Sequence, residues 1–310
     1  MKISTSYAKL ALTLFLILPV FSLQAATTSV KCDKKSLAGV IDKLDKAESN
    51  TVNITGDCNE DIVISGHKDL TLIGGDGASI TATTFLPGDE ENSTRVLLIE
   101  NSHITVQTLT INPGLEVSCA SRSTCVFLDV MIHGGHNGVK FRDQSAGDIL
   151  GSSAIQNSHG YGLGIFTAST VNIRPEPYET GNEVGPVISG HPLGGVLVYD
   201  NSFLRTNNVT ISTNGTGVYA QREGVIKIYG GQVNNNTYEG IAIWRGGSAQ
   251  IGSEVSGNGA DGVYVGPLSF VQLFGGREIL GNLGLSVNCD HSTAVVHGLG
   301  SATLDDHNCP

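Results

Sequence analysis

A glycine followed by alternating apolar residues recurs along this chain at a nearly fixed interval, and that repeat constrains the fold more than any other feature. Gly195, Gly217, Gly240, Gly262 and Gly284 each open such a run, at spacings of 22, 23, 22 and 22 residues. Gly138 and Gly162 open two more, 24 apart. The step of 33 from Gly162 to Gly195 reads as one repeat plus an insertion. Further short β-rich runs lie within each repeat, such as Val225 to Ile228 and Phe270 to Leu273. Alternation places every second side chain on one face of a strand. Short strands broken by Gly and Asn at a period near 20 residues predict a solenoid with one coil per repeat. Equivalent positions then stack about 4.8 Å apart, and chirality favours a right-handed coil. A leucine-rich horseshoe would need a dense Leu/Asn consensus, and a propeller would need blades of about 40 residues. The expected fold is therefore all-β, a right-handed parallel β-helix of about 22 residues per coil.

Asn137, Asn157, Asn214, Asn236, Asn258 and Asn282 precede these strands. Asparagine tolerates left-handed turns and bonds nearby backbone, so the stacked side chains predict a structural ladder. Near the start, Leu37, Val40, Ile41 and Leu44 fall at helical spacing behind Ser36, an N-cap residue type. A short helix over Ser36 to Lys46 is expected to cover the open end of the stack, where backbone and core would otherwise be bare. Alternation continues less regularly between residues 61 and 132, and no linker marks a second domain.

Residues 1–26 read as a signal peptide: Lys2 and Lys9, an apolar run from Leu10 to Leu18, then Ala25 and Ala26 at a cleavage site. The run is too short for a membrane span, so no span is expected. The remainder, 27–310, reads as one β-helix domain with an N-terminal cap at 27–60, an inserted loop at 174–194 and a C-terminal cap or tail at 289–310. Without Lys2 and Lys9 it holds 16 basic and 29 acidic residues, a net charge of −13. That balance argues against nucleic-acid partners. Six cysteines behind a signal peptide read as disulfides. Sequence proximity pairs Cys32 with Cys58, Cys119 with Cys125 and Cys289 with Cys309. No cysteine or histidine cluster has metal-ligand spacing. Neither metal nor cofactor is expected, and the location is periplasmic or secreted.

The short helix, the strand TVNITG beside Cys58 and the Asn-x-x-x-Gly-apolar coils resemble the pectin-lyase-like superfamily of single-stranded right-handed parallel β-helices. The resemblance covers nearly the whole mature chain and is specific for fold. The superfamily includes lyases, hydrolases, epimerases, esterases, adhesins and tailspikes, so fold alone assigns no activity. The motifs of polygalacturonases, pectate lyases, pectin methylesterases and alginate epimerases are absent, and no catalytic residue carries over.

The repeat offers a different clue. Reading the outward positions of the Gly-apolar strands gives Phe166, Tyr199, Tyr219, Trp244 and Tyr264 on successive coils. Arg142, Arg222 and Arg245 recur at the end of the same strand, beside the carboxylates Asp143, Asp200 and Glu223. Aromatic faces stack on sugar rings, and planar charged groups bond hydroxyls or sugar carboxylates in pairs. These residues are the candidate ligand contacts, and the expected partner is a polysaccharide or cell-surface glycan. Outward aromatics also stiffen a sheet by stacking, which is the competing structural role. For catalysis the candidates are Lys140, Arg142, Asp143, His159, Asp200 and Glu223. A histidine at the turn positions His133, His136 or His159, with Lys140 or Arg142 as cation, suits β-elimination from a uronate. Two carboxylates on neighbouring coils suit a glycosidase. The insertion places Arg174, Glu176, Tyr178, Glu179 and His191 as walls of a cleft. Three functions stay open: a polysaccharide lyase or hydrolase, a non-catalytic glycan binder or adhesin, and a structural envelope protein.

Overall fold

The structure is a computed structural model that describes residues 25–83, 95–176 and 185–309. Tyr178, Glu179 and all but the last two residues of the expected targeting segment lie outside the described residues. The chain winds into a parallel β-solenoid of about 11 turns, with roughly 23 residues per turn. Its strands form a ten-stranded sheet and a larger 21-stranded sheet.

The ten-stranded sheet holds the Gly-apolar strands, and its register explains the core. Ile62, Leu97, Val117, Val139, Leu163, Val196, Val218, Ile241, Val263 and Val287 are paired in sequence from coil to coil. All ten are fully buried. Each such side chain contributes roughly 1.5–3 kcal/mol of transfer free energy, against the entropy of ordering the coil. Branched residues suit this inner column because their few rotamers match a pleated surface. The glycine before each strand has a steric cause. A Cβ on Gly217 would lie 2.4 Å from the Gly240 carbonyl oxygen and 2.7 Å from Val233 Cγ1.

The asparagine ladder forms in part. Asn214, Asn236 and Asn258 each give a backbone N–H to the side-chain oxygen of the residue one coil on, ending at Asn282. Their side-chain amides donate to the same oxygens at 2.8 to 3.1 Å. Asn137 and Asn157 do not belong to it. Asn157 falls one residue early, at a left-handed position with φ 58° that Gly190, Asn235 and Gly257 also occupy. The ladder position there is Ser158, whose backbone N–H donates to His191 Nδ1. Asn137 instead accepts from the Tyr161 N–H at 3.1 Å. His191, expected in a cleft wall, is fully buried. It occupies the next rung because its position on the coil is the one the asparagines hold.

The helix spans Leu37–Ile41, shorter than the expected Ser36 to Lys46. Beyond it the chain tightens into i→i−3 turns, with Lys43 N–H on Val40 O and Leu44 N–H on Ile41 O. Ser36 caps the Gly39 N–H, and the Glu60 carboxylate accepts from the N–H groups of Leu37 and Ala38. Leu37 and Ile41 are buried in the main core. The insertion is also shorter than 174–194. Val187–Ser189 is an ordinary sheet strand paired with Ala154–Gln156 and Thr210–Ser212. Extra residues are thus confined between Arg174 and Val187. All three disulfides pair as sequence proximity predicts, which indicates an oxidising, extracytoplasmic location. No helix among the described residues is long and apolar enough to cross a membrane.

Candidate functional site

The outward face of the ten-stranded sheet carries two adjacent columns. The first runs Ser118, Lys140, Gly164, Leu197, Tyr219, Ala242, Tyr264, Asn288. In the second, Tyr199, Gln221 and Trp244 are paired in register. Arg142 and Phe166 directly follow the paired Phe141 and Ile165 and so extend it. The aromatics therefore zigzag between columns. All five share this sheet face and are half-buried. Phe166 and Tyr199 lie 6.1 Å apart, and Trp244 stacks on Tyr264 at 4.8 Å with 26° between the rings.

The arginines are not equivalent, as their common place after the strand had implied. Arg142 stands in the aromatic column. Arg222 and Arg245 are one residue further on, in a turn built from two consecutive left-handed residues. That turn recurs as Asp143–Gln144, Thr167–Ala168, Asp200–Asn201, Arg222–Glu223 and Arg245–Gly246. Arg222 bridges to Asp200 at 3.8 Å and lies 4.7 Å from the centroid of Tyr199. Arg142 pairs with Asp143 at 3.1 Å. Asp143 and Asp200 are separated by the intervening coil at Thr167, about 10 Å along the stack. The carboxylates Asp143, Asp200 and Glu223 thus line the rim of the face, in these turns.

The face is not flat. A recess of about 220 Å³ is lined by His136, Asn137, Val139, Lys140, Tyr161, Gly164, Phe166, Leu193 and Leu197. Its cause is a missing rung: Gly164 occupies an outward position where its neighbours present Lys140 and Leu197. A Cβ there would stand 2.5 Å from the Phe166 ring, which leans across the gap. Lys140 Nζ sits 5.1 Å over that ring. His159 is exposed in the turn before the strand and is not among the lining residues.

Behind Lys140 is a carboxylate that the sequence did not single out. Glu116 is almost fully buried. Its Oε2 is 3.8 Å from Lys140 Nζ, and its Oε1 accepts from Arg95 Nε at 3.2 Å. The Asn137 amide reaches Oε2 at 3.5 Å. A buried carboxylate between two cations holds both in place and leaves the cluster positive. Glu116 and Arg95 belong to the less regular coils, and only the fold brings them to Lys140. Burial pushes the hydroxyls of Tyr161 and Tyr219 above the usual tyrosine range. Tyr264 moves the same way, through desolvation first and then its hydrogen bond to Asp290. No set of three or more His, Cys, Asp or Glu among the described residues is arranged to hold a metal ion.

No protein-family model matches this chain, and no curated protein matches it. Among solved structures it is similar to the A-module of a mannuronan C-5 epimerase of Azotobacter vinelandii, with 12% identity and a TM-score of 0.50 over 84% of this chain and 89% of that one. It is also similar to the pectate lyase Pel9A, with 9% identity and a TM-score of 0.47 over 93% and 80%. A periplasmic alginate epimerase matches with 13% identity and a TM-score of 0.45 over 86% and 74%. At such identities the likeness is one of fold alone, the parallel β-helix.

Proposed function

We propose that the outward face of the ten-stranded sheet recognises a polysaccharide laid along the solenoid axis, outside the cytoplasm in the periplasm or beyond it. The observation that carries this reading is the recess at Gly164, placed at one end of the aromatic zigzag in the same sheet. Aromatic rungs recur at about 4.8 Å per coil, close to one sugar unit, so successive rings meet successive sugars. Lys140, held by Glu116, presents a cation to an acidic sugar in the recess. Tyr199 and Tyr219 continue the path, and Trp244 with Tyr264 forms its far end.

The test is equilibrium binding of the mature protein to a panel of neutral and acidic polysaccharides, with Trp244→Ala and Gly164→Leu as variants. Gly164→Leu fills the recess from an outward position, against a ring that can swing away. Both variants are expected to lose at least tenfold in affinity with unchanged melting. Binding that neither variant alters excludes the face.

A second reading is catalytic and rests on one placement: Lys140, His136 and Tyr161 line a single recess. A cation beside a proton acceptor is what abstraction of a proton next to a sugar carboxylate needs. Incubation with uronate polymers, reading unsaturated-product absorbance, tests it. No product with a polymer that binds tightly leaves recognition alone.

A further inference from the structure

The larger sheet carries a second cleft, unrelated to the aromatic face. It measures about 430 Å³ and is lined by Asp148, Asn172, Ile173, Arg174, Arg205 and Asn207. Its outward column runs Asp148, Asn172, Arg205, Lys227, Gln250, Gln272 in register from coil to coil. Arg174 stands in the neighbouring column, paired in register with Leu150. Three cations therefore lie on three consecutive coils of one sheet.

Their pairing is unusual for so acidic a chain. Arg174 has a partner, Glu176, at 2.7 Å. Among the described residues, neither Arg205 nor Lys227 forms an ion pair with a carboxylate. Each is held by a ring instead. Arg205 lies 5.9 Å from the centroid of Tyr229, and Lys227 Nζ lies 5.7 Å from that of Phe203. Tyr229 is fixed in turn by its hydroxyl, which donates to Gln250 Oε1 at 2.8 Å. Ring contacts hold a cation's position without using its N–H donors. Asp148 accepts from the Asn172 amide at 3.1 Å, which ties that carboxylate to the cleft's other end. Beyond the cations the column continues in Gln250 and Gln272, side chains that bond hydroxyls.

We propose that the strip from Arg174 through Arg205 to Lys227 is a second glycan-binding site, specific for an oxyanion-bearing polysaccharide. Cations spaced about 4.8 Å apart along the stack meet sulfates or carboxylates carried at about one per sugar. A guanidinium engages either group through two parallel bonds. The two following glutamines receive the hydroxyls of the next sugars. This site is independent of the aromatic face and stands or falls without it.

The experiment uses the whole mature chain, with heparin as the sulfated probe, alginate as the carboxylated probe and dextran as the neutral control. Affinities are measured at low and raised salt. Binding to heparin, alginate or both, weakened by salt, is expected, and the preferred probe identifies the oxyanion. Arg205→Ala with Lys227→Ala is expected to weaken that binding at least tenfold. The same loss is expected in a Trp244→Ala, Gly164→Leu background, where the aromatic face is already removed. Two results overturn the proposal: polyanion affinity unchanged in the Arg205/Lys227 variant, or dextran bound as tightly as the charged probes. Failure of the aromatic face shows separately, as indifference of every glycan to Trp244→Ala and Gly164→Leu.

Discussion

His191 gives its backbone N–H to the side-chain oxygen of Asn214 at 3.1 Å, and so a histidine continues a ladder otherwise made of asparagines. Its own ring extends the chain of bonds. Nδ1 accepts from the Ser158 N–H, and Nε2 lies 3.0 Å from the Ile155 carbonyl oxygen. A carbonyl only accepts and an amide N–H only donates. The ring is therefore neutral, with its proton on Nε2.

Burial pushes the His191 pKa down to about 4, against the bond to the Ile155 carbonyl, which favours the protonated ring. The unfolded chain takes up a proton near pH 6.5 and the folded chain only near 4. Between those values the unfolded state binds more protons, so stability falls as pH drops from 6.5 towards 4 and levels off below. The loss expected is about 3 kcal/mol at most. His67, lowered chiefly by burial, acts in the same direction. Urea midpoints between pH 7.5 and 4 measure the slope, and His191→Asn should flatten most of it by restoring the common rung. An unchanged slope in that variant assigns it to other groups.

Asn236→Ala should destabilise the protein by about 2–4 kcal/mol. The substitution removes the acceptor of the buried Asn214 N–H and the donor to the Ile211 carbonyl. Thr213→Ala, at an exposed turn position next to the ladder, should change far less. Denaturant midpoints compare the two.

Gly217→Ala should reduce soluble yield sharply or lower the melting temperature by many degrees. Its new methyl group meets backbone of the next coil, which has no rotamer to adopt. Gly300→Ala should be neutral within about 0.5 kcal/mol, since nothing lies within 4 Å of that Cβ. Circular dichroism melts of the pair test the argument.

Cys289→Ser with Cys309→Ser should fray the last coils before the rest unfolds. That disulfide closes a span of 20 residues at the end of the stack. In the chain-entropy account it contributes about 3 kcal/mol. Faster hydrogen exchange confined to Val287–Cys289, Val295–His297 and Thr303–Leu304 is the expected signature. Uniform acceleration along the chain would show that unfolding is global instead.

Glu116→Gln should weaken binding of acidic sugars in the recess by loosening Lys140. Its effect on stability is about 1–3 kcal/mol, modest because Lys140 and Arg95 are each about a third exposed. Titration with an acidic oligosaccharide and with a neutral one separates the roles. Equal losses for both would show Glu116 to be a packing group only.

The coil period, the inner column from Val139 to Val287, the outward aromatics and the three disulfides are all legible in the chain itself. Each depends on a local rule: alternation within a strand, a glycine where the next coil passes close, and cysteines near in sequence. The earlier rungs Ile62, Leu97 and Val117 are placed only by the fold. The places where reading along the chain misleads are those where the coil length drifts. Asn157 looks like a ladder residue, yet the rung is Ser158. Arg142 looks like the partner of Arg222, yet it stands one column inside. The segment from Val187 to Gly194 looks like insertion, yet it is regular coil. In a solenoid of 22 to 24 residues per repeat, one residue of drift moves a side chain to the opposite face.

The amino-acid sequence by itself determined that this chain would be a parallel solenoid with one aromatic-bearing face, because repetition and alternation are local properties that survive at every coil. Only the tertiary structure decided what that face contains. The recess exists because Gly164 leaves a gap between Lys140 and Leu197, residues supplied by coils 24 and 33 positions apart. The charge beside it depends on Glu116 and Arg95, drawn to Lys140 by stacking. The cation strip on the other sheet depends on the register that sets Arg205 beside Lys227. Contacts between coils are set by register, and register is a sum over the whole stack rather than a property of any one repeat.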